Sequence, residues 1–301
     1  MGDAIELAAG EYRAAIGRRG AAMCRLAFAE QELIWRCPPD EPPPASHGLL
    51  LAPWPNRIRD GRYTFKGVEH RLEVTEPRRG TALHGLAYDK PWLPVEIGSD
   101  RARLTCVLDG AEGYPYRLEL SAEYELEASG GLSVTLAARN TGDSAAPYGM
   151  GAHPFLSVAA PMDEAVLKLP ASRRLPVDER LLPAGAPEHV EGTEHDFRTP
   201  RPVGATAFDT AFTDLERDPD GLAWTVLTSG GASMGVWADS SCGWLQVFSA
   251  EGLSEGLNRR GLAVEPMTCP PDAFNSGTDL TVLEPGEETA SRFGIVRLPH
   301  P

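Results

Sequence analysis

The sequence predicts an all-β fold, a large antiparallel β-sandwich, as a single domain over residues 1–301. Three observations carry this. The first is a period of two. Tyr116, Leu118, Leu120, Ala122, Tyr124 and Leu126 alternate with Arg117, Glu119, Ser121, Glu123 and Glu125. Successive side chains of a strand point to opposite faces, so this stretch is a strand with one apolar and one wet face. The second is punctuation. The chain carries 31 Gly and 27 Pro among 301 residues, too many for a helical protein. The pairs Asp60-Gly61, Lys66-Gly67, Asp109-Gly110, Gly230-Gly231 and Pro285-Gly286 separate short apolar runs. The third is that no long stretch shows a capped 3.6-residue period.

The elements follow in order. Short strand-like runs occur at 103–108, 165–169, 222–227, 234–238, 244–248 and 292–298. After the alternating strand, Gly130-Gly131 turns the chain. Leu132, Val134 and Leu136 then continue the pattern in reverse, which predicts a hairpin closed by Asn140-Thr141-Gly142-Asp143. Many short strands at this spacing form sandwiches or barrels. Residues 36–44 and 176–203 read as long loops, rich in Pro, or in Pro, Gly and charge. Near the C-terminus an apolar approach, Gly261-Leu262-Ala263-Val264, ends on Glu265. Pro266, Pro270 and Pro271 follow it. A carboxylate at the inner end of a strand, held by a stiff turn, suits a general base.

The formal net charge of -15 argues against nucleic acid, whose phosphates require Lys and Arg, and against an anionic membrane surface. The five cysteines are odd in number and widely spaced, with no C-x-x-C. They predict neither a disulfide framework nor a zinc cluster, and they fit a reducing, cytoplasmic compartment. Met1 to Glu6 lacks the features of a signal peptide, and no apolar run reaches membrane-spanning length. No metal-binding, dinucleotide, Walker or Gly-x-Ser-x-Gly pattern occurs, so neither metal nor cofactor is expected.

Four segments concentrate unusual residues: Pro53-Trp54-Pro55-Asn56-Arg57, Leu83-His84-Gly85, His153-Pro154-Phe155, and the Glu265 segment. His84 and His153 sit in small, apolar surroundings where a buried ring needs a reason. His47, His70, His189, His195 and His300 lie in polar or terminal settings and receive no role. Glu265, between Val and Pro, is either in a structural ion pair or a working carboxylate. Asp209, in Ala207-Phe208-Asp209-Thr210-Ala211-Phe212, is a second carboxylate, equally well read as a turn or cap residue. The chemistry on offer is proton transfer.

Together these segments resemble the aldose 1-epimerase (galactose mutarotase) family. Asn56-Arg57, His84-Gly85, His153-Pro154-Phe155, Phe208 to Phe212, Glu265-Pro266 and Asp272-Ala273-Phe274-Asn275 occur in the family's order. Leu283 to Glu287 resembles its closing strand. The resemblance implies a β-supersandwich that binds a small-molecule sugar and interconverts its α and β anomers without a cofactor, as a monomer or homodimer. It implies Glu265 as base at the anomeric hydroxyl and His153 as acid at the ring oxygen. Arg57, His84, Asp209 and Asn56 would bind substrate. The segment after His153 reads Pro154-Phe155-Leu156-Ser157 and departs from the galactose-specific pattern, which leaves the sugar open. With pKa values of about 4.3 and 6.5, Glu⁻ and a protonatable His coexist near neutral pH, and partial burial of Glu265 would bring the two closer.

Three other readings are compatible with the residues. A hexose-6-phosphate mutarotase needs an anion site. Arg57, Arg59, Arg78 and Arg79 are candidates, although the last three read more simply as solvated loop charges. A non-catalytic carbohydrate-binding protein would use Trp54, Phe155 or Phe274 as stacking platforms. A hydrolase or lyase would pair Asp209 with Glu265.

Overall fold

The computed structural model describes residues 4–299. The expectation for His300, and half of the Met1 to Glu6 stretch behind the signal-peptide expectation, fall outside that range. Three sheets dominate among the described residues. A four-stranded sheet opens the chain, with strands Ile5–Ala9, Tyr12–Ile16, Met23–Phe28 and Gln31–Glu32 in sequence order. A nine-stranded sheet runs Leu93–Ile97, Arg101–Ala111, Tyr114–Glu127, Gly131–Asn140, Glu288–Leu298, Ala232–Ala238, Ala223–Ser229, Val166–Lys168, Arg201–Pro202. An eight-stranded sheet has at its centre Asp209–Leu215, Trp244–Phe248 and Gly261–Met267. Neighbouring strands within all three pair antiparallel. The fold is the expected all-β sandwich.

The period-two reading holds residue by residue in Tyr114–Glu127, where every even-numbered position from Tyr114 to Leu126 is buried. The hairpin forms at Gly130-Gly131, with Glu127 opposite Gly131 and Leu126 opposite Leu132. One continuous core joins the sheets. Tyr12, Ile16 and Leu26 of the first sheet share it with Leu118, Leu120, Tyr124 and Phe293 of the second and Phe212, Val247 and Val264 of the third.

Two expectations about the C-terminal segments need correction. The strand carrying Glu265 does not break at Pro266. It runs on to Met267, with Pro266 opposite Leu245 and Met267 opposite Trp244. Of Leu283 to Glu287, only Leu283 is in a strand, Thr281–Leu283. The following four residues form the turn into the closing strand, Glu288–Leu298. A Pro-Gly pair has one missing donor and one left-handed residue (Gly286, φ 85), which suits a turn and not a ladder.

Strand parity builds the floor of the site. In Gly261–Met267, Leu262 and Val264 enter the main core. Ala263 and Met267 pack into separate clusters on the opposite face, and Glu265 lies between them in the alternation. In Trp244–Phe248, Val247 enters the core, so Gln246 takes the other face with Trp244 and Phe248. In Asp209–Leu215, Phe212 enters the core and Asp209 shares the opposite face with Ala211. Gln246 sits opposite Glu265 in the ladder, and Asp209 opposite Phe248. Three strands thus deliver Asp209, Gln246 and Glu265 to one face.

Candidate active site

A cavity of about 480 Å³ opens on that face. Its lining includes all six residues singled out from the sequence: Asn56, Arg57, His84, His153, Asp209 and Glu265. They come from segments far apart in the chain, and each is placed by a distinct local device.

Asn56, Arg57 and His84 arrive as a pair of strands. Arg57–Arg59 pairs with Thr81–Leu83, Arg57 opposite Leu83, and the His84 amide donates to the Asn56 carbonyl at 2.8 Å. Gly85 then takes φ 80, and a Cβ there would collide with the Ala52 carbonyl beneath it. Only glycine satisfies both the left-handed backbone and the close approach. Asp272 fixes this corner from behind. Its amide donates to the Arg57 carbonyl at 2.7 Å, and its carboxylate accepts from the Arg59 amide at 2.9 Å.

His153 lies where a strand is interrupted. Gly151–Ala152 and Phe155–Ser157 both pair with Gly261–Met267, and His153-Pro154 spans the gap between them. The His153 amide donates to the Leu49 carbonyl at 3.0 Å, and its carbonyl accepts from Gly48 at 2.8 Å. Its ring nitrogen Nε2 stands 3.4 Å from Glu265 Oε1. The His84 ring lies edge-on, with centroids 5.3 Å apart.

The side chains divide into anchored and uncommitted groups. Arg57 is anchored: its Nε donates to Glu76 at 2.8 Å, and Asp209 lies 3.9 Å away. Glu76 also accepts from Thr81 at 2.7 Å and Arg79 at 3.0 Å. Burial would raise the Glu76 carboxyl, but the Arg57 and Thr81 hydrogen bonds, with the Arg57 and Arg79 charges, outweigh it and hold it below its usual range. Asp209 accepts from Gln246 at 2.7 Å. On the residues lining the cavity, five polar atoms remain buried without a protein partner: Glu265 Oε2, Gln246 Oε1, His84 Nδ1, Arg79 Nε, and His153 Nδ1 apart from its own main chain. Buried polar atoms are rarely left unmatched, so this concentration marks a place built to meet a polar ligand.

Burial sets the electrostatics. Glu265 is 2% exposed. Its carboxyl is pushed well above 4.5 by desolvation, Asp209 reinforces the shift, and Arg57 opposes it. Desolvation pulls His153 down to about 3, against weak support from its own backbone and with His47 and Arg57 adding to the fall. His84 is held well below 6.5 by burial, then by His153 and Arg57. Asp209 is raised by burial, with Arg57 and Arg79 opposing. The burial of Glu265 is therefore complete, not partial. Burial thus shifts both groups toward their uncharged forms, carboxyl and neutral imidazole, relative to the carboxylate and protonatable imidazole expected.

Several other expectations change. Trp54 and Phe274 are core residues whose rings lie 5.7 Å apart, and Phe155 stacks on Trp35 at 4.1 Å. None of the three lines the cavity; its aromatic wall is Phe248. Arg78 and Arg79, read as solvated loop charges, line the cavity, whereas Arg59 turns to Asp272 at 3.3 Å. His47, given no role in a polar setting, is fully buried. Its Nε2 donates to the Trp35 carbonyl at 2.8 Å and its Nδ1 accepts from the Phe155 amide at 3.2 Å. His195 is also buried, against Phe208 and Phe212. Gln246 and Glu76 were missed altogether. Gln246 left one signal, a lone polar residue in the apolar run Trp244–Phe248.

All five cysteines are buried and free. No helix among the described residues is long and apolar enough to cross a membrane, and no metal-binding cluster of His, Cys, Asp and Glu occurs among them.

Comparison with known proteins gives a consistent picture. A protein of Escherichia coli strain K12 named uncharacterized protein YihR is 38% identical over 295 residues, 98% of this chain and 93% of its own. The aldose 1-epimerase of the same organism is 30% identical over 166 residues, 52% of this chain and 46% of its own. Among solved structures, an aldose epimerase homologue from C. elegans superposes with TM-score 0.85 at 18% identity, covering 99% of both chains. A galactose mutarotase-like protein from Clostridium acetobutylicum gives 0.83 at 18% identity, covering 98% of this chain and 95% of its own. These two likenesses speak to the fold. The profile of the family described as Aldose 1-epimerase matches residues 3–295, and the chain belongs to that family.

Proposed function

We propose that this protein interconverts the α and β anomers of an aldose by acid–base ring opening. The observation that carries the reading is the pairing of His153 Nε2 with Glu265 Oε1 at 3.4 Å on the floor of the cavity. The two heads are close enough to serve one sugar. They are farther apart than a tight charge-assisted hydrogen bond of about 2.7–2.9 Å, so neither is consumed by the other.

In the forward step, Glu265 as carboxylate removes the proton from the anomeric hydroxyl. Protonated His153 delivers a proton to the ring oxygen. The bond between the anomeric carbon and the ring oxygen breaks, and the anomeric carbon becomes a carbonyl. Rotation about the adjacent carbon–carbon bond presents its other face. Reclosure returns both protons and gives the opposite anomer. Carboxylate with imidazolium, and carboxyl with imidazole, hold the same single proton between them. Ring opening thus converts an ion pair into a neutral pair, the form that desolvation favours here. The dry floor therefore favours the ring-open side of this step and disfavours the ion pair from which it starts. Arg57, His84, Asp209, Asn56 and Gln246 meet the sugar's hydroxyls and the nascent carbonyl, with Gln246 Oε1 and His84 Nδ1 the uncommitted atoms.

The binding-only reading would leave this buried acid–base pair without purpose. The hydrolase reading would need Asp209 as partner to Glu265, yet Asp209 is engaged by Gln246 and lies beside Arg57. The test is anomer exchange measured by NMR on the wild type and on Glu265→Gln. Loss of one acid–base group costs about 10²–10⁴-fold. The variant should retain the native circular dichroism and exchange anomers at a rate lower by that factor. A near-wild-type rate in the folded variant defeats the assignment.

A further inference from the structure

The rim of the cavity carries a feature that ring opening does not use. Arg78 lines the cavity and is exposed, and among the described residues its guanidinium has no hydrogen bond, ion pair or ring contact. Its neighbours are all engaged. Arg79 donates to Glu76 at 3.0 Å, and Arg180 donates to the Arg79 carbonyl at 2.7 Å and pairs with Asp60 at 2.6 Å. Glu251, on the facing wall, is taken by Arg259. The lining holds three guanidiniums (Arg57, Arg78 and Arg79) and four carboxyl groups; Glu251 is paired with Arg259 and buried Glu265 is shifted toward its uncharged form, which leaves the wall of three guanidiniums with Glu76 and Asp209. That wall is locally positive in a chain whose formal net charge is -15.

We infer that the aldose taken by this site carries an anionic group away from its anomeric carbon, held at the rim by Arg78 beside Arg79. The inference rests on the ring-opening reading of the floor. A neutral hexose offers hydroxyls, which Gln246, His84 and Asp209 already serve. It offers nothing that matches a free, planar, permanently charged fork, whose natural partners are phosphate, sulfonate or carboxylate oxygens. The rim also answers a problem of approach. A strongly acidic protein repels an anionic substrate, and a cleft wall of opposite sign restores a local attraction. The anomeric carbon is assigned to Glu265 and His153 on the floor, so the anion falls at the far end of the sugar, such as carbon 6.

The experiment compares anomer exchange by NMR, corrected for the enzyme-free rate, for glucose, glucose 6-phosphate, glucuronic acid and 6-deoxy-6-sulfoglucose at equal sub-saturating concentration and ionic strength. At least one anionic sugar should be exchanged about tenfold faster than glucose, and which one identifies the group. Arg78→Gln should collapse that anionic-over-neutral ratio toward one, and added salt should shrink it in the wild type. Glucose matching or exceeding all three anionic sugars overturns the inference, as does an unchanged ratio in Arg78→Gln. Failure of the floor reads differently: a folded wild type would then exchange none of the four.

Discussion

At the scale of single residues, Glu265 is a buried carboxyl at the centre of the proposed chemistry. Burying an ionisable carboxyl without full hydrogen bonding is unfavourable, and its Oε2 has no protein partner. The pH dependence follows by linkage. The folded state holds the Glu265 proton above the usual 4.5, whereas the unfolded chain releases it there. Between those two values the native state binds more protons, so stability falls as pH rises. A Gln at this position carries no such proton. The melting temperature of Glu265→Gln relative to wild type should therefore climb as pH is raised above 4.5 and level off once the folded carboxyl ionises, even though activity is lost. A difference that stays flat above 4.5 would show that the carboxyl titrates normally in the folded protein. His153 acts in the opposite direction. It is held neutral down to about 3 against an ordinary value of 6.5, so it withdraws stability as pH falls between those limits.

At the scale of elements, the corner formed by Arg57–Arg59 and Thr81–Leu83 brings Asn56, Arg57 and His84 to the cavity, and its closure depends on Gly85. Gly85→Ala would combine a left-handed backbone with a collision against the Ala52 carbonyl. A loss of about 3 kcal/mol in chemical denaturation is expected, with impaired exchange in whatever remains folded. A loss below about 0.5 kcal/mol would mean that the corner relaxes freely. The elements also show what the sequence could reveal. Tyr114–Glu127 was legible because one face is wet, and so its alternation was visible. Gly261–Met267 is buried at every position, so its letters carry no period and its continuation through Pro266 was hidden. His84, His153 and Glu265 stood out as polar groups in apolar company. Gln246 did not, because its importance comes from lying opposite Glu265 in a ladder that only tertiary pairing creates. His47 was misread for a related reason. The Pro-rich stretch before it is largely exposed, yet the His47 ring that follows packs against Trp35 and Phe155.

At the scale of the whole molecule, a single cluster of buried side chains spans all three large sheets. That continuity predicts one cooperative unfolding transition, with near-ultraviolet and far-ultraviolet circular dichroism coinciding across a urea titration. Two separated transitions would divide the chain into independent units. The break at His153-Pro154, where two strand segments meet the same partner strand, has a consequence for how such a protein can diversify. The spacing of His153 from Glu265 is written into backbone register, and a slip of one residue would turn Glu265 toward the core. Insertions and deletions in the surrounding loops leave that register alone. Arg78, Arg79, Glu251 and Leu253 belong instead to the loops around the mouth. Inheritance can therefore rewrite the mouth while the reacting pair below stays fixed, so one proton-transfer device can pass from sugar to sugar across descendants.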